Sequence, residues 1–455
     1  MDKSDKKYDM IVIGGGVAGF ALASSVAGKH KDKSVLIIKE HEKEFVPCGI
    51  PYIFGKLKYL PEKNIKNIKP LIDSGSEVFY GKVTRIDRGE KSVFTDDGVK
   101  FKYNKLVIAT GSAPIEPVFI KGYDSRNVFY IKKDFDYIKK MVEAVTIKKR
   151  IVIIGGGFIG VEVADELSHN KEREITLIEM QDNCLSAAFS KDFCNLAEKK
   201  LAESGVKTLT KTKVVEIIED KNELIVILSN EQTIKTDIVI FSLGYKPNTI
   251  IAEDSGLKLN KFKAIEVNAF MQTDDADIYA VGDCAKKTDF FSGRDSNVML
   301  ASVAGSESRF LADNIFSINS LKNGISSIKI FSTSINGSVF SSAGMTLEET
   351  QKLNIPVVVG EFNGFDKHPS SLPDCSEVFV KLLVMEKTGH IVGGEINGGI
   401  SSGEMINIVG MAIQTKMSIQ DFYVLQFGTH PLLTGGPTVI PLIKAAENAI
   451  DKMKK

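Results

Sequence analysis

The chain has 455 residues, 43% hydrophobic and 25% charged; this length is too great for one compact domain and suits about three. Lysine plus arginine and aspartate plus glutamate each total 58, so the formal net charge is zero and a nucleic-acid partner is not expected. No apolar stretch reaches the length of a membrane span, and the apolar run after the lysine-rich N-terminal segment is too short for a signal peptide. The five cysteines lack CxxC spacing and indicate neither a disulfide framework nor a metal site, so we expect a cytoplasmic protein without metal.

The first chemical signal along the chain is a strand–glycine–helix unit at Met10–Ala27. Its continuous apolar run predicts a buried strand, and Gly14, Gly16 and Gly19 follow in GxGxxG spacing. Such glycines permit a tight turn, close approach of the backbone to a pyrophosphate, and tight packing of helix on strand. The unit therefore predicts a dinucleotide site.

The residue that binds the ribose of this dinucleotide is less clear. An acid is expected about 20 residues after the glycines, at the end of the strand Val35–Ile38. That strand is followed by Lys39, and Glu40 comes next. Two interpretations stay open: Glu40 takes the ribose role, or Lys39 alters it.

Cys48 lies in the segment Phe45–Tyr52, between Pro47 and Gly49. A cysteine taken alone is more often a buried, inert residue than a nucleophile. The flanking proline and glycine indicate a constrained turn. If that turn opens a helix, the helix dipole lowers the pKa of the thiol and favours the thiolate.

Short strands and turns follow this segment. We predict a hairpin within Ser92–Tyr103, with its turn at 96–98, and a buried strand at Leu106–Ala109 that stops at Thr110 and Gly111. Two lysine-rich stretches are interpreted as solvated surface: 63–69 and 132–140.

A second strand–glycine–helix unit lies at Ile151–Leu167 and carries Gly155, Gly157 and Gly160 in the same spacing. The next strand is followed by Glu179, 19 residues after Gly160. A carboxylate there accepts hydrogen bonds from a ribose 2′-hydroxyl and repels a 2′-phosphate, which favours NADH over NADPH. A solvated glutamate at a strand end is the alternative interpretation.

The rest of the chain contains two more buried strands, then a change of pattern. The strands are predicted at Ile238–Ser242 and Ile278–Val281, the second leading into Gly282 and Asp283, and a helix follows at about 298–315. From about residue 322 the pattern gives strand-rich sequence at 329–340 and 378–386, then helices at 403–415 and 440–452. We therefore predict an α/β fold with two Rossmann-like nucleotide-binding domains plus a C-terminal α+β domain.

These motifs, in this order, resemble the FAD-dependent pyridine nucleotide–disulfide oxidoreductases over essentially the whole chain. The resemblance is carried by both glycine motifs and by three segments: Cys48–Tyr52, Ala109–Gly111 and Gly282–Asp283. Within that family the chain is similar to the single-cysteine branch of CoA-disulfide reductases, NADH oxidases and peroxidases, and NAD(P)H sulfur or polysulfide reductases. The resemblance implies a homodimer in which each chain has three domains. The FAD-binding domain would comprise residues 1–120 and 244–322, the NAD(P)H-binding domain residues 121–243, and the dimerisation domain residues 323–455.

The resemblance also implies roles for cofactor-binding residues. The first glycine motif, with Thr110, Gly111 and Asp283, would bind FAD. The second motif would bind NAD(P)H. Phe158 matches an aromatic gate over the nicotinamide pocket.

Four catalytic positions follow from the resemblance. Cys48 is the redox cysteine, and Glu162 matches a glutamate beside the flavin. Lys56 matches a lysine that pairs with this glutamate near flavin N5, with a solvated lysine as the alternative. His430 matches a histidine that acts across the dimer interface; it is either a proton donor near the partner's Cys48 or a turn residue, because Gly435 replaces its glutamate partner.

Three departures from the family pattern narrow the chemistry. Ile53 stands where two-cysteine members carry their second cysteine, so Cys48 would cycle through sulfenic acid, persulfide or a mixed disulfide. Val17 stands where oxidases and peroxidases of this branch carry a histidine, which weakens the peroxidase interpretation. The stretch Ser24–Lys29 lacks the arginines with which CoA-disulfide reductases grip CoA, which puts CoA in doubt.

The expected function is transfer of a hydride from NADH through FAD to Cys48, which reduces small disulfide, persulfide or polysulfide substrates. One alternative is an NADH oxidase in which reduced flavin reacts with dioxygen. A second is a flavoprotein that senses redox state and signals to a partner without turnover.

Overall fold

The computed structural model describes residues 6–321 and 326–454. The predicted domain boundary at 322 and 323 lies outside the described residues. The first elements are β1 Lys7–Ile13, α1 Val17–Lys29, β2 Val35–Lys39, α2 Lys69–Asp73, β3 Glu77–Tyr80, β4 Val83–Asp87, β5 Ser92–Thr95, β6 Lys100–Ile108 and β7 Ser112–Pro114. The next elements are β8 Val128–Tyr130, α3 Phe135–Thr146, β9 Arg150–Ile154, α4 Phe158–Ser168, β10 Glu174–Ile178, α5 Lys191–Ser204, β11 Val206–Leu209, β12 Val214–Asp220, β13 Glu223–Leu228, β14 Thr233–Thr236, β15 Ile238–Phe241 and β16 Tyr245–Pro247.

The chain then returns to the first unit before it enters the C-terminal region. The returning elements are α6 Ile250–Asp254, β17 Ile278–Ala280, β18 Lys287–Asp289, β19 Asp295–Ser296 and α7 Ala301–Asn314. The C-terminal elements are β20 Ser326–Ser327, β21 Ile330–Ile335, β22 Ser338–Gly344, α8 Leu347–Lys352, β23 Val357–Phe365, β24 Glu377–Met385, β25 Ile391–Gly398, α9 Ser402–Gln414, α10 Ile419–Tyr423 and α11 Pro441–Met453.

The first sheet has the strand order β3-β2-β1-β6-β5-β4, and β17 pairs in parallel with β6. Because β17 follows the second glycine unit in the chain but pairs with β6, the second unit is inserted into the chain of the first. The predicted hairpin is β5–β6, and Gly98 in its turn has φ +83°.

The second sheet has the order β11-β10-β9-β15-β8, with every neighbouring pair parallel. In both sheets the strand that opens the glycine unit is central, so its glycine turn leaves from the carboxyl edge, where α/β sheets bind ligands. A three-stranded antiparallel sheet, β12-β13-β14, adjoins this unit and was not predicted. The chain crosses between the two units at β7 and returns at β16, and these two short strands pair antiparallel.

The C-terminal unit is a five-stranded antiparallel sheet, β21-β22-β25-β24-β23, against which α9 and α11 pack. The predicted α+β character is confirmed. The strand-rich stretch 329–340 is a hairpin, because Asn336 and Gly337 both adopt positive φ and form a two-residue turn. The helix predicted from about 298 begins at Ala301.

Within residues 6–321 and 326–454, no helix combines the length and the apolar character needed to cross a membrane.

Candidate functional site

One cavity of about 1670 Å³ lies where the two nucleotide-binding units and the C-terminal sheet meet. Residues of both glycine motifs line it, together with Cys48, Glu162, Asp283 and Phe331. The fold therefore brings the predicted dinucleotide sites and the predicted redox cysteine to one space.

The first glycine motif is built to admit a ligand. Gly14 has φ +106°, and a Cβ added there would lie 2.4 Å from the Ala109 carbonyl oxygen. A Cβ on Gly19 would lie 1.9 Å from the Gly14 oxygen, so only glycine allows α1 to approach β1 this closely. At Gly16, by contrast, nothing lies within 4 Å of the Cβ position, which leaves its backbone open to the cavity.

The second glycine motif repeats this division of roles. Gly155 has φ +110°, and a Cβ there would lie 2.6 Å from the Ser242 carbonyl oxygen, while one on Gly160 would lie 1.9 Å from the Gly155 oxygen. Nothing lies within 4 Å of the Cβ position at Gly157. Two open glycine turns at the amino ends of α1 and α4 fit two dinucleotide pyrophosphates, one from FAD and one from NAD(P)H.

Thr110, Gly111 and Asp283 lie on the cavity wall next to the first motif. The Thr110 hydroxyl donates to the Asn248 carbonyl oxygen at 2.6 Å, and Gly111 has φ +68° with open space at its Cβ position. Asp283 accepts a hydrogen bond from Ser112 Oγ at 2.7 Å.

A buried ion pair holds the turn that carries Asp283. Glu307 Oε2 accepts the Gly282 N–H at 2.8 Å, and Lys287 Nζ donates to the Gly282 carbonyl oxygen at 2.6 Å. The two side chains lie 3.1 Å apart and are 1% and 5% exposed, respectively. The sequence alone does not predict this pair, because no motif links residues 282, 287 and 307.

Cys48 is exposed to the cavity and lies in a short 3₁₀ turn, Pro47–Gly49, followed by a second one, Pro51–Phe54. The pKa of its thiol is raised by burial among protein atoms and by the charge of Glu162. The conditional expectation of a lowered pKa fails because no α-helix begins at this cysteine, and turns of three or four residues supply little dipole. Ile53 is fully buried.

Glu162 projects from α4 into the same cavity. Its Oε1 accepts a hydrogen bond from the Thr333 hydroxyl at 2.8 Å, which joins α4 to β21. Burial raises the pKa of Glu162 to about 7. This carboxyl group can therefore gain or lose a proton at neutral pH.

The predicted pairing of Lys56 with Glu162 is wrong. Lys56 Nζ lies 2.5 Å from Glu166 Oε1, and the Lys56 backbone N–H donates to Glu166 Oε2 at 2.7 Å. Glu166 is four residues, about one turn, beyond Glu162 on α4, and it meets the loop at Gly55. Lys56 is not among the residues that line the cavity.

Lys133 is a site residue, although it belongs to the lysine-rich stretch 132–140 that is expected to be solvated surface. It lines the cavity, and its Nζ donates to Ser112 Oγ at 2.9 Å and lies 3.6 Å from Asp283 Oδ2. Its charge acts to lower the pKa of Cys48. The signal that could have found it is its place just after β8, at the carboxyl edge of a parallel sheet.

Phe158 opens α4 on the cavity wall. Its ring contacts that of Phe331 on β21, with ring centroids 4.9 Å apart, and that of Phe189 at 6.0 Å. The role of Phe158 as an aromatic gate over the nicotinamide pocket stays a prediction.

The three candidate ribose-binding residues are placed differently. Glu179 lines the cavity, and its two oxygens accept the N–H groups of Gly156 at 2.6 Å and Gln181 at 2.7 Å. Glu40 also lines the cavity and lies 3.6 Å from Lys82. Lys39 is 2% exposed and does not line the cavity.

His430 is exposed and does not line the cavity of its own chain. Its Nδ1 accepts the Leu432 N–H at 3.2 Å. Within the described residues, no group of three or more His, Cys, Asp or Glu side chains is placed to hold a metal ion.

Comparison with known proteins agrees with this architecture. Residues 8–308 match the family described as pyridine nucleotide-disulphide oxidoreductase, and residues 334–438 match the dimerisation domain of that family. An NADH oxidase of Methanocaldococcus jannaschii is 30% identical, covering 97% of this chain and 99% of that relative. An NAD(P)H coenzyme A polysulfide/persulfide reductase of Pyrococcus horikoshii is 27% identical, covering 86% of this chain and 88% of the relative.

Among solved structures, an NAD-dependent persulfide reductase from A. fulgidus superposes with a TM-score of 0.88 at 27% identity, covering 98% of this chain and 83% of that chain. The matches extend over both glycine units and the C-terminal sheet. The chain therefore belongs to the pyridine nucleotide-disulphide oxidoreductase family.

Proposed function

We propose that this protein is a homodimeric, FAD-dependent oxidoreductase that takes electrons from NADH and reduces small disulfide, persulfide or polysulfide substrates at Cys48. The observation that carries the proposal is the shared cavity, in which two open glycine turns and one cysteine meet. Bound FAD would accept hydride from NADH and return two electrons to the oxidised cysteine. The protein supplies binding, orientation and proton exchange.

The cavity contains residues that could bind each of the two cofactors. FAD would lie on the turn of Gly14, Gly16 and Gly19, with Thr110, Gly111 and Asp283 along its path. NADH would lie on the turn of Gly155, Gly157 and Gly160, with Phe158 beside the nicotinamide.

Cys48 suits the sulfur chemistry because of its position. Of the five cysteines, Cys184, Cys194 and Cys284 are buried, and Cys48 lines the cavity. Cys48 gives up its thiol proton and its sulfur attacks one sulfur of the substrate, so that the substrate S–S bond breaks as a mixed disulfide forms. The departing sulfur leaves with the bonding electron pair and takes up a proton.

Glu162 and Lys133 complete the site around this sulfur. The charges of both act on Cys48, and the pKa of Glu162, about 7, suits it to give a proton to the departing sulfur. Lys133 lines the cavity and its charge acts on Cys48, whereas Lys56 does not line the cavity, so Lys133 would stabilise negative charge near this sulfur.

An NADH oxidase is the second candidate, and the Methanocaldococcus relative, named NADH oxidase, favours it. To separate the candidates, the protein is reduced anaerobically with NADH and then mixed separately with polysulfide, CoA disulfide or dioxygen. We expect polysulfide to reoxidise the flavin fastest and to support many turnovers. Fast reoxidation by dioxygen alone would identify an oxidase, and reduction without turnover by any acceptor would identify a sensor.

We expect NADH to be preferred over NADPH because of Glu179. Its carboxylate would repel a 2′-phosphate, and the residues that follow, Met180 and Gln181, supply no positive charge. Glu179→Ala is expected to lower kcat/KM for NADH about tenfold or more, because a charge-assisted hydrogen bond is lost. The difference between the kcat/KM values for NADH and NADPH should become smaller. Steady-state kinetics with both nucleotides measure this, with Glu174→Ala at the exposed start of β10 as the control. A clear NADPH preference in the unmodified protein would contradict the role.

A further inference from the structure

The carboxylate beside the first glycine motif belongs to Glu44, a residue outside the motif. A Cβ added to Gly15 would lie 2.5 Å from Glu44 Oε1. The equivalent glycine of the second motif, Gly156, also has a carboxylate nearby: Glu179 Oε2 lies 3.1 Å from its Cβ position, with Cys184 Sγ nearer at 2.6 Å. Each glycine turn thus has one carboxylate against its middle residue.

The two carboxylates come from different places in the chain. The Gly14 N–H bonds to the Ile38 oxygen and the Gly155 N–H bonds to the Ile178 oxygen, both at 2.8 Å, so the two units share one register. In this register the residue after Ile178 is Glu179, and the residue after Ile38 is Lys39. The first unit therefore carries a lysine at the position where the second carries its acid.

The first unit still has an acid next to its glycine turn, because the Lys39 side chain points inward and pairs with Glu44. Its Nζ is 3.1 Å from Glu44 Oε2, and its side chain is 1% exposed. Lys66 Nζ lies 3.9 Å from the same oxygen and donates to the Gly15 carbonyl oxygen at 2.8 Å. Both ammonium groups lie nearest Oε2, and both carboxylate oxygens face the glycine turn, Oε1 at 2.5 Å and Oε2 at 2.7 Å from the Cβ position of Gly15.

The backbone of Glu44 is also fixed in place. The Lys66 N–H donates to the Glu44 carbonyl oxygen at 2.7 Å, and Phe45 forms an isolated β-bridge with Ile65. The Glu44 side chain is 18% exposed and lines the cavity. Glu40, the candidate from sequence, is 51% exposed in its side chain and faces Lys82.

We propose that Glu44 is the carboxylate that accepts hydrogen bonds from the adenosine ribose hydroxyls of FAD, and that Lys39 is a positioning residue that aims it. This inference rests on the proposed function, in which the first glycine motif holds FAD. The acid of the first unit thus lies in the segment before Cys48 and not at the strand end, so one stretch of chain would hold both the ribose and the redox cysteine.

The test uses full-length protein stripped of flavin and titrated with FAD or with an FAD analogue whose adenosine ribose lacks both hydroxyls. The readout is the dissociation constant from flavin fluorescence. The unmodified protein is expected to bind the analogue roughly tenfold or more weakly, as expected for loss of hydrogen bonds to a charged group. In Glu44→Ala the two flavins should bind almost equally, and in Glu40→Ala the preference for FAD should persist.

Two further variants guard against a simple folding defect. Glu44→Gln keeps the volume of the side chain and should reduce the preference without loss of the fold. Lys39→Glu combined with Glu44→Ala returns the acid to the strand end and should restore the preference. Loss of the preference in Glu40→Ala, or its full retention in both Glu44 variants, would overturn this inference alone. A protein that binds no FAD would overturn the proposed function as well.

Discussion

Cys48→Ser is expected to lose reduction of disulfide and polysulfide substrates by about 10³-fold or more in kcat/KM, the scale seen when a catalytic nucleophile is removed. A serine hydroxyl at this position cannot form the mixed disulfide. FAD content and the rate of flavin reduction by NADH should remain native, because the cysteine lies apart from both glycine turns in the chain. Stopped-flow absorbance of the flavin measures its reduction by NADH, and steady-state turnover measures the reduction of the sulfur substrate.

The matched control for this variant is Cys375→Ser, which changes another partly accessible cysteine that does not line the cavity. This variant should keep both the reduction of flavin by NADH and the reduction of disulfide and polysulfide substrates. Unchanged polysulfide turnover in Cys48→Ser would defeat the sulfur chemistry proposed for this site.

Glu307→Ala is expected to destabilise the protein by about 3–5 kcal/mol, because it leaves the buried ammonium group of Lys287 without its partner. The variant also removes the acceptor of the Gly282 N–H, so the turn that carries Asp283 should loosen. In this variant both the free energy of unfolding and the affinity for FAD should therefore be lower than in the unmodified protein. Urea unfolding and flavin content after purification report the two effects.

A nearby ion pair provides the comparison. Lys286 lies 3.0 Å from Glu266, and both side chains are partly exposed. Glu266→Ala should therefore cost only about 1 kcal/mol or less, since water replaces much of the lost interaction. If Glu307→Ala lowered the free energy of unfolding no more than Glu266→Ala does, the buried ion pair would not be what stabilises the turn at Gly282.

Local sequence rules predict the parts of the fold that local physics decides. The two glycine turns need positive φ at Gly14 and Gly155 and close contacts at Gly19 and Gly160, so their residue types are nearly imposed. The hairpin turn at Gly98 follows from similar rules. Residue types and their spacing are therefore enough to locate these turns.

Contacts between distant segments cannot be predicted in this way. Glu162 and Glu166 lie one turn apart on α4, and no spacing rule decides which one meets Lys56. Lys133 falls within a lysine-rich stretch that predicts solvated surface, and only the assembled sheets bring it to Asp283. Lys39 stands out in the sequence as a departure, but its burial depends on Glu44, five residues further along.

The C-terminal sheet contributes a wall of the cavity, in the region that matches the dimerisation domain of the family. Phe331 packs against Phe158 with the two rings tilted by 30°, and Thr333 donates a hydrogen bond to Glu162, so β21 shields the place where electrons and protons would move. A truncated protein that ended before residue 326 would admit bulk water there and leave Glu162 untethered. Any shortened or fused version designed for use as an electron carrier therefore has to retain this strand.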